Sequence, residues 1–221
     1  MLALKQALSL VSTPKLGAWS PDDEATLLAW WQNAVGISLS GSNVSQWDDS
    51  AGNNHTLQGL YLTAPTYSGG VLTFNGVDEA LASTTQMNID NDFTIGIRGD
   101  FSGSTGTLLG DDDAGNAFLK LQSSTVLRLK VAAGLIDFAL SSGTFGDDYI
   151  VITRDSSDNV DAYYNGVSIS ATQVRSNRVK IDSMGYSVTA GYYGGTILEG
   201  QIYTSTSADL TANINSRLAS L

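Results

Sequence analysis

Oxygen-bearing side chains concentrate in one glycine-flanked stretch, GDDDAGN (110–116), which carries Asp111, Asp112, Asp113 and Asn116. Carboxylate and amide oxygens are the ligands that a hard cation such as Ca²⁺ prefers. The stretch is not an EF-hand loop, because its glycine lies at the wrong offset and the closing glutamate is missing. The sequence predicts a calcium site at Asp111, Asp113 and Asn116. The alternative is a solvated hairpin tip whose acids bond to their own backbone.

A second candidate site consists of Tyr192 and Tyr193, which stand between glycines in the segment 191–195. Exposed aromatic rings on a glycine loop are a platform on which a sugar face can stack. We therefore predict a carbohydrate site at this pair, with one of the two rings facing the core. Three of the four tryptophans lie in apolar runs and are predicted to be core residues: Trp30, Trp31 and Trp47.

Catalytic patterns are missing from the chain. Its three glutamates, Glu24, Glu79 and Glu199, lie in separate segments, so no strand carries the Glu-x-Asp-x-x-Glu pattern that lines up carboxylates for glycoside hydrolysis. The single histidine, His55, lies in the loop-like segment GNNHTL and is predicted to be at the surface. No Gly-x-Ser-x-Gly elbow and no lysine-containing phosphate loop is present. We predict that the protein is not an enzyme and requires no cofactor, with Ca²⁺ as the one ion considered.

Charge and composition exclude several classes of partner. The net charge is −11, and cysteine is absent. Such a surface repels phosphate groups and anionic lipid, so neither nucleic acid nor membrane is expected as a partner. Lys5 and Gln6 interrupt the first apolar stretch, and no run of about 18 apolar residues follows, so neither a signal peptide nor a membrane helix is predicted.

The elements that must position these residues are short strands. In VLRLKVA (126–132), Leu127, Leu129 and Val131 alternate with polar residues, which predicts one buried and one wet sheet face. VITRDSSDNVDAYYNG (151–166) predicts two strands joined by a polar turn, and the acids in that turn need no ligand to explain them. The dipeptide Asn165-Gly166 predicts a tight hairpin.

The two ends of the chain carry helix signals. Ser20, Pro21 and the following acids predict a short helix that ends quickly at LLAWW (27–31) or buries both tryptophans in its turn. At the C-terminus, one helical face holds Leu210, Ile214, Leu218 and Leu221, with Ser207 as the cap. We predict an N-terminal arm at 1–19 and a single domain at 20–221.

The order of six segments resembles the concanavalin A-like, laminin-G-like jelly rolls, above all those in structural proteins of tailed bacteriophages. The segments are LLAWW, NVSQWDDSAGNNHTLQG, PTYSGGVLTFNGVDEAL, DFTIGI, IVITRDSSDNVDAYYNG and ILEGQIYTSTSADLTANINSRL, and the resemblance covers roughly residues 27–221. The resemblance implies an all-β antiparallel sandwich with a short C-terminal helix, and ligands, where present, on a concave sheet face or at the loop rim. It also raises the expectation of a calcium position at that rim.

Three functions are compatible with these features. The first is a non-catalytic virion structural protein with capacity for adhesion to host-surface glycan; it would contact other virion proteins, or copies of itself, through the arm at residues 1–15. No catalytic domain accompanies the jelly roll in this sequence, which favours that hypothesis. The alternative is a stand-alone carbohydrate-binding lectin, calcium-dependent or not, that is soluble rather than located in a virion. The third is a divergent glycoside-acting enzyme.

Overall fold

The computed structural model describes residues 19–59, 63–115, 117–132, 134–169 and 171–221. Within these ranges the strands form two antiparallel sheets. In spatial order, the smaller sheet contains β1 (Leu27–Trp31), β19 (Glu199–Tyr203), β8 (Phe93–Asp100), β13 (Asp147–Arg154), β14 (Asn159–Tyr164) and β15 (Val167–Ser168), with β16 (Gln173–Val174) also bonded to β14. This is the predicted all-β sandwich.

The larger sheet wraps the other side of the core. In spatial order it contains β12 (Gly134–Ala139), β11 (Val126–Val131), β10 (Ala117–Ser123), β9 (Gly106–Gly110), β17 (Val179–Met184), β7 (Leu81–Ile89), β4 (Leu57–Gln58), β3 (Asn43–Trp47), β5 (Thr66–Ser68), β6 (Val71–Asn75) and β18 (Gly194–Ile197), with β2 (Ile37–Ser40) bonded to β3. Strands distant in sequence, such as β9 and β17, are neighbours here. Loops far apart along the chain therefore meet.

The core lies between the sheets and follows the predicted alternation. Leu127, Leu129 and Val131 of β11 are almost wholly buried, while Arg128 and Lys130 between them point to the opposite face. The three tryptophans predicted as core residues are buried as well: Trp30, Trp31 and Trp47. Their indole N–H groups find acceptors inside, as in the 2.9 Å bond from Trp31 Nε1 to the His55 carbonyl.

The predicted hairpin at 151–166 is confirmed. Strands β13 and β14 pair in register, and the Asp155 carboxylate accepts bonds from the backbone N–H groups of Ser157 and Asn159, each 2.9 Å long. At the other end of β14, Asn165 and Gly166 have φ angles of 51° and 73°. This left-handed backbone is what a tight hairpin requires. The acids of this stretch stabilise its turns.

The chain enters the sandwich through a 3-10 helix, Pro21–Asp23, and then β1. Of the two predicted outcomes for LLAWW, the short helix followed by a strand is the one observed. The predicted arm lies outside the described residues except for Trp19. Trp19 packs against an apolar cluster on the outer face of the smaller sheet, and its indole N–H donates to the Glu24 carboxylate over 2.9 Å. This outer cluster consists of Val151, Tyr203, Leu210, Ile214 and Leu218.

Helix α1 (Ala208–Ala219) covers the outer face of the smaller sheet. The Ser207 hydroxyl accepts the backbone N–H of Leu210 as predicted, and Leu210, Ile214 and Leu218 are buried against the sheet. Leu221 is 37% exposed because the helix ends two residues before it, so its predicted place on the buried face is wrong. None of the helices in the described ranges is long and apolar enough to cross a membrane.

Candidate functional site

The larger sheet bears a recess on its outer face, the face turned away from the smaller sheet. It has a volume of about 460 Å³, within the size range of small-molecule sites. The polar lining comes from β4, β7 and β17 and from the segments that follow β9 and β17; it consists of Gln58, Ser83, Thr84, Gln86, Asp112, Asp113, Asp182, Ser183 and Tyr186.

A wide irregularity in β7 shapes the recess. Ile181 of β17 pairs with Met87, whereas Ser183, two residues later, pairs with Ala82. An advance of five residues along β7 is thus matched by two residues along β17. The extra residues of β7 bulge out of the hydrogen-bonded ladder and form one wall of the recess. Bulges of this kind re-aim side chains beside functional sites.

His55 supports that wall from behind, so its predicted surface position is wrong. The side chain is 6% exposed, and its Nδ1 lies 3.2 Å from the Thr85 carbonyl in the bulge. A carbonyl can only accept a hydrogen bond, so Nδ1 is the donor. The backbone N–H of His55 donates in turn to Asp49 over 3.2 Å. The histidine therefore holds the backbone in place.

Three carboxyl groups meet at one end of the recess. One oxygen each of Asp111, Asp112 and Asp182 lies within 4.8 Å of the others. Asp182 follows the core residue Ile181 and therefore points outward, where it accepts the Asp112 backbone N–H and the Gln86 side-chain amide, each over 2.9 Å. These three aspartates form the carboxyl group cluster.

Burial and mutual repulsion perturb this cluster. Burial, followed by the negative charges of Asp182 and Asp113, raises the pKa of Asp112 to about 6. Burial also raises the pKa of Asp182, against the hydrogen bonds that it accepts. None of the described residues that line the recess is basic. The recess is therefore a site of concentrated negative charge.

The structure places the predicted calcium ligands differently from the prediction. Asp111 is buried within the cluster, and its Oδ1 accepts the N–H groups of Asp113 and Ala114 at 3.2 and 3.0 Å. The Asp113 side chain is exposed at the edge of the recess and is not part of the cluster. Asn116 lies outside the described residues. The residues that could hold a hard cation are therefore Asp111, Asp112 and Asp182, whose oxygen donors fit such an ion.

The two tyrosines predicted to bind sugar have separate positions. Tyr193 is fully buried, its ring lies 5.8 Å from that of Phe74, and its hydroxyl donates to the Asp100 carbonyl over 3.0 Å. Burial raises its pKa. Tyr192 is half-buried and packs on Tyr186, with ring centroids 4.6 Å apart and planes tilted by 31°. The ring at the recess is thus that of Tyr186, which no local pattern in the sequence marks as a ligand residue.

Comparisons with known proteins agree with this architecture. A Trypanosoma rangeli sialidase is similar over 89% of this chain and 33% of its own, with 13% identity and a TM-score of 0.59. The binding domain of Paraclostridial Mosquitocidal Protein 1 is similar over 91% of this chain and 53% of its own, at 15% identity and a TM-score of 0.55. An arabinofuranosidase complexed with arabinofuranosyl-alpha-1,2-xylobiose is similar over 80% of this chain and 50% of its own, at 11% identity and a TM-score of 0.62.

The chain thus spans about a third of the sialidase and about half of the other two proteins. No protein-family model matches the sequence. No curated protein matches it either. At these identities the likeness concerns the fold alone: this chain is a jelly-roll-like antiparallel β-sandwich, an architecture that it shares with parts of these three proteins.

Proposed function

We propose that the chain is a non-catalytic, lectin-like domain that binds glycan in the recess. The observation that carries the proposal is the combination of side chains there. Amide, hydroxyl and carboxylate groups from Gln58, Gln86, Ser83 and Asp182 line a space of about 460 Å³ beside the ring of Tyr186. Sugars present hydroxyl groups for hydrogen bonding and an apolar ring face for stacking, and this lining offers a partner to each.

The loops around the recess are fixed before any ligand arrives. Lys130 donates to the Gly115 carbonyl over 2.7 Å, and Lys120 donates to the Ala190 carbonyl over 3.3 Å. The Ser183 hydroxyl donates to the Tyr186 carbonyl over 2.7 Å. A site held in this way loses less entropy when it binds, which favours affinity for a small ligand.

A glycan array followed by calorimetry tests the proposal. We expect wild-type protein to bind a defined group of glycans, and Asp112→Asn to lower the affinity at least 10-fold, since Asp112 is the half-buried carboxyl group of the lining and a hydrogen bond to a charged acceptor contributes about 1.5–3 kcal/mol. The matched control is Asp22→Asn, which removes an exposed charge that lies far from the recess residues in the sequence. Loss of binding in both variants, or no binding by folded wild-type protein, would contradict the proposal.

The third function, glycoside hydrolysis, has one observation in its favour. Retaining glycosidases use two carboxyl groups about 5–5.5 Å apart, and Asp112 and Asp182 likewise bring two carboxyl groups together, with oxygens less than 4.8 Å from each other. Asp182 is only 4% exposed, and both its oxygens already accept hydrogen bonds. A nucleophile needs an accessible oxygen, so we expect no turnover.

The measurement is release of a chromogenic leaving group from a panel of aryl glycosides. We expect the rate with wild-type protein to equal that with Asp112→Asn. A rate that falls by about 10²-fold or more in this variant would instead support catalysis.

We further propose that the domain belongs to a structural protein of a phage virion, with the arm at residues 1–15 as the contact to other virion proteins or to further copies. The support is the order of sequence segments shared with jelly rolls of tailed-phage proteins. Mass spectrometry of purified particles is the test: the chain should be present at a fixed copy number. Its absence from particles, with glycan binding retained, would favour the stand-alone lectin.

A further inference from the structure

This inference rests on the proposed function and names the ligand class of the same site. We propose that the recess is one end of a longer binding surface, and that its ligand is a neutral, extended, β-1,4-linked oligosaccharide lying across the strands of the larger sheet. The surface is a line of paired residues that runs from β17 to β2, and it is called the amide row: Ser183, Ala82, Gln58, Gln46 and Ser38.

The strand register places the amide row in one line across the sheet. Ser183 of β17 pairs with Ala82 of β7, which pairs with Gln58 of β4. Gln58 pairs in turn with Gln46 of β3, which pairs with Ser38 of β2. Residues directly opposite each other in an antiparallel pair present their side chains on the same face. The first three members line the recess, so the row continues from the recess across β3 and β2.

The row lies on the outer face of the sheet, where a ligand can reach it. Trp47 and Leu57, the next residues along β3 and β4, are fully buried in the core. Side chains alternate between the faces of a strand, so Gln46 and Gln58 point outward. Both are half-buried, and Ser38 is exposed. A ligand seated in the recess can therefore extend over these three residues.

Hydrogen bonds fix the orientation of the two amides in the row. Gln58 Nε2 donates to Gln46 Oε1 over 3.1 Å, and Gln46 Nε2 donates to the Asp48 carboxylate. An amide has two N–H donors and an oxygen with two lone pairs. Within the described part of the chain, one N–H of each amide and the Gln58 oxygen therefore remain for a ligand. Donors and acceptors held side by side in this way suit sugar hydroxyl groups, which both donate and accept.

The spacing of the row matches the repeat of an extended sugar chain. Neighbouring strands lie about 4.8 Å apart, so the line from β7 through β4 and β3 to β2 is about 14 Å long. One pyranose unit of an extended β-1,4-linked chain advances by nearly the length of one strand spacing. Successive units would therefore meet successive strands, and about four units would fill the line. An α-1,4-linked chain curves, so its units would leave the row.

Charged side chains on this face flank the row and are not members of it. Asp112 and Asp182 lie at its β17 end, and Lys180 points to the same face of β17 because Val179 and Ile181 on either side of it are buried. The middle of the row consists of uncharged amides, where a charged sugar unit would find no counter-ion. A neutral chain therefore fits the row, and its binding should depend little on salt, which screens interactions between exposed charges.

Calorimetry of the full chain with cello- and xylo-oligosaccharides, from the dimer to the hexamer, tests the inference. In at least one series we expect the affinity to rise at least 10-fold from dimer to tetramer and then to stay level, because units beyond the row gain no contacts. Gln46→Leu should weaken tetramer binding about 3–10-fold, the value of a neutral hydrogen bond, and leave dimer binding unchanged. Gln173→Leu, at an exposed glutamine of the smaller sheet, is the matched control and should change neither. Raising the salt from about 0.1 to about 1 M should change tetramer binding less than about 2-fold.

Maltotetraose, an α-1,4-linked chain of equal length, is the control for sugar hydroxyl groups in general, and it should bind at least 10-fold more weakly than the β-1,4-linked tetramer. Four results would overturn the extended row and leave glycan binding in the recess in place: affinity independent of chain length, equal binding of maltotetraose, equal losses for dimer and tetramer in Gln46→Leu, or a 10-fold loss at high salt. Failure of both β-1,4-linked series, with another glycan bound on the array, would do the same. If folded protein binds no glycan at all, the proposed function fails together with this inference.

Discussion

At the scale of single residues, the carboxyl groups of Asp112 and Asp182 link the recess to pH. The pKa of Asp112 rises from 3.8 to about 6 in the folded protein, so the native state holds a proton that the unfolded chain releases. Between about pH 4 and 6 the native state therefore binds more protons, and its stability falls as the pH rises through that window. The effect is reduced by solvent, because the Asp112 side chain is half-buried.

The first prediction follows from that linkage. In the presence of a chelator, the Tm of Asp182→Asn should increase relative to the Tm of wild type as the pH rises from 4.5 to 7. Loss of the Asp182 charge lowers the pKa of Asp112, and the expected change is on the order of 1 kcal/mol, or about 2–4 °C in a domain of this size. Thermal unfolding followed by circular dichroism gives the two curves. Parallel curves over the whole range would contradict the coupling.

A second prediction separates the cation ligands expected from the sequence from those in the structure. If calcium occupies the cluster, a concentration of 100 times its Kd stabilises the protein by about 2.7 kcal/mol. That rise in Tm should disappear in Asp182→Asn and persist in Asp113→Asn, because Asp113 is exposed and outside the cluster. If the rise in Tm disappeared in Asp113→Asn and persisted in Asp182→Asn, the calcium ligands would be those predicted from GDDDAGN.

Residue positions were predictable to the extent that local patterns determine them. Asp111 was identified from its acidic turn, and the buried tryptophans from their apolar runs. Asp182 was not, because it alternates with Ile181 as an ordinary solvent-facing strand residue does. Only the pairing of β9 with β17, which joins residues some 70 positions apart, brings it to Asp111. His55 was misplaced for the same reason, since its partner in β7 is also distant in sequence.

At the scale of elements, helix α1 is attached to the smaller sheet by a buried ion pair. Arg217 donates to both oxygens of Glu199 over 2.5 and 2.8 Å, and its guanidinium lies 4.9 Å from the ring centroid of Trp30. Glu199 is fully buried and also accepts bonds from the Trp30 indole and the Asn33 backbone. Gly96 of β8 allows the helix to approach, because a Cβ there would lie 2.7 Å from Ile214.

The third prediction concerns this attachment. Arg217→Ala should lower the free energy of unfolding by about 3–5 kcal/mol, because it leaves the buried Glu199 carboxylate without a counter-ion. Arg217→Lys should recover only part of the free energy of unfolding that Arg217→Ala loses. Lysine has neither the two-pronged geometry nor the flat guanidinium that packs on Trp30. Denaturant unfolding measures both. Adding Glu199→Gln to Arg217→Ala should recover stability; a double variant less stable than Arg217→Ala would argue against an unpaired charge.

The type of each secondary-structure element was easier to predict than the strand with which it pairs. Alternation in β11 and the Asn165-Gly166 turn depend on neighbouring residues, so both were found from the sequence. The bulge in β7 was not, because TTQMNI (84–89) alternates as a regular strand would. The mismatch arises from how β17 pairs with it. The recess is formed by that pairing, so its shape required the structure.

At the scale of the whole molecule, the two outer faces of the sandwich differ. Helix α1 and Trp19 cover part of the smaller sheet, whereas the larger sheet carries the recess and the loops beside it. If the domain binds a glycan on the larger sheet, it can therefore be anchored to other molecules through the elements on the smaller sheet. Trp19 marks where the preceding residues reach the fold, at the outer cluster of the smaller sheet. The proposed arm thus joins the sandwich on the side away from the recess.

This arrangement gives the last prediction. Removing residues 1–18 while keeping Trp19 should reduce the molar mass in light scattering to that of one chain, because the proposed contact to further copies lies in the arm. Glycan binding and Tm should stay within error of the full chain, since Trp19 retains its bond to Glu24 and its packing on the sheet. Trp19→Ala in the full chain is the matched variant, and it should lower Tm without changing the mass. An unchanged mass after truncation would place self-association in the sandwich rather than in the arm.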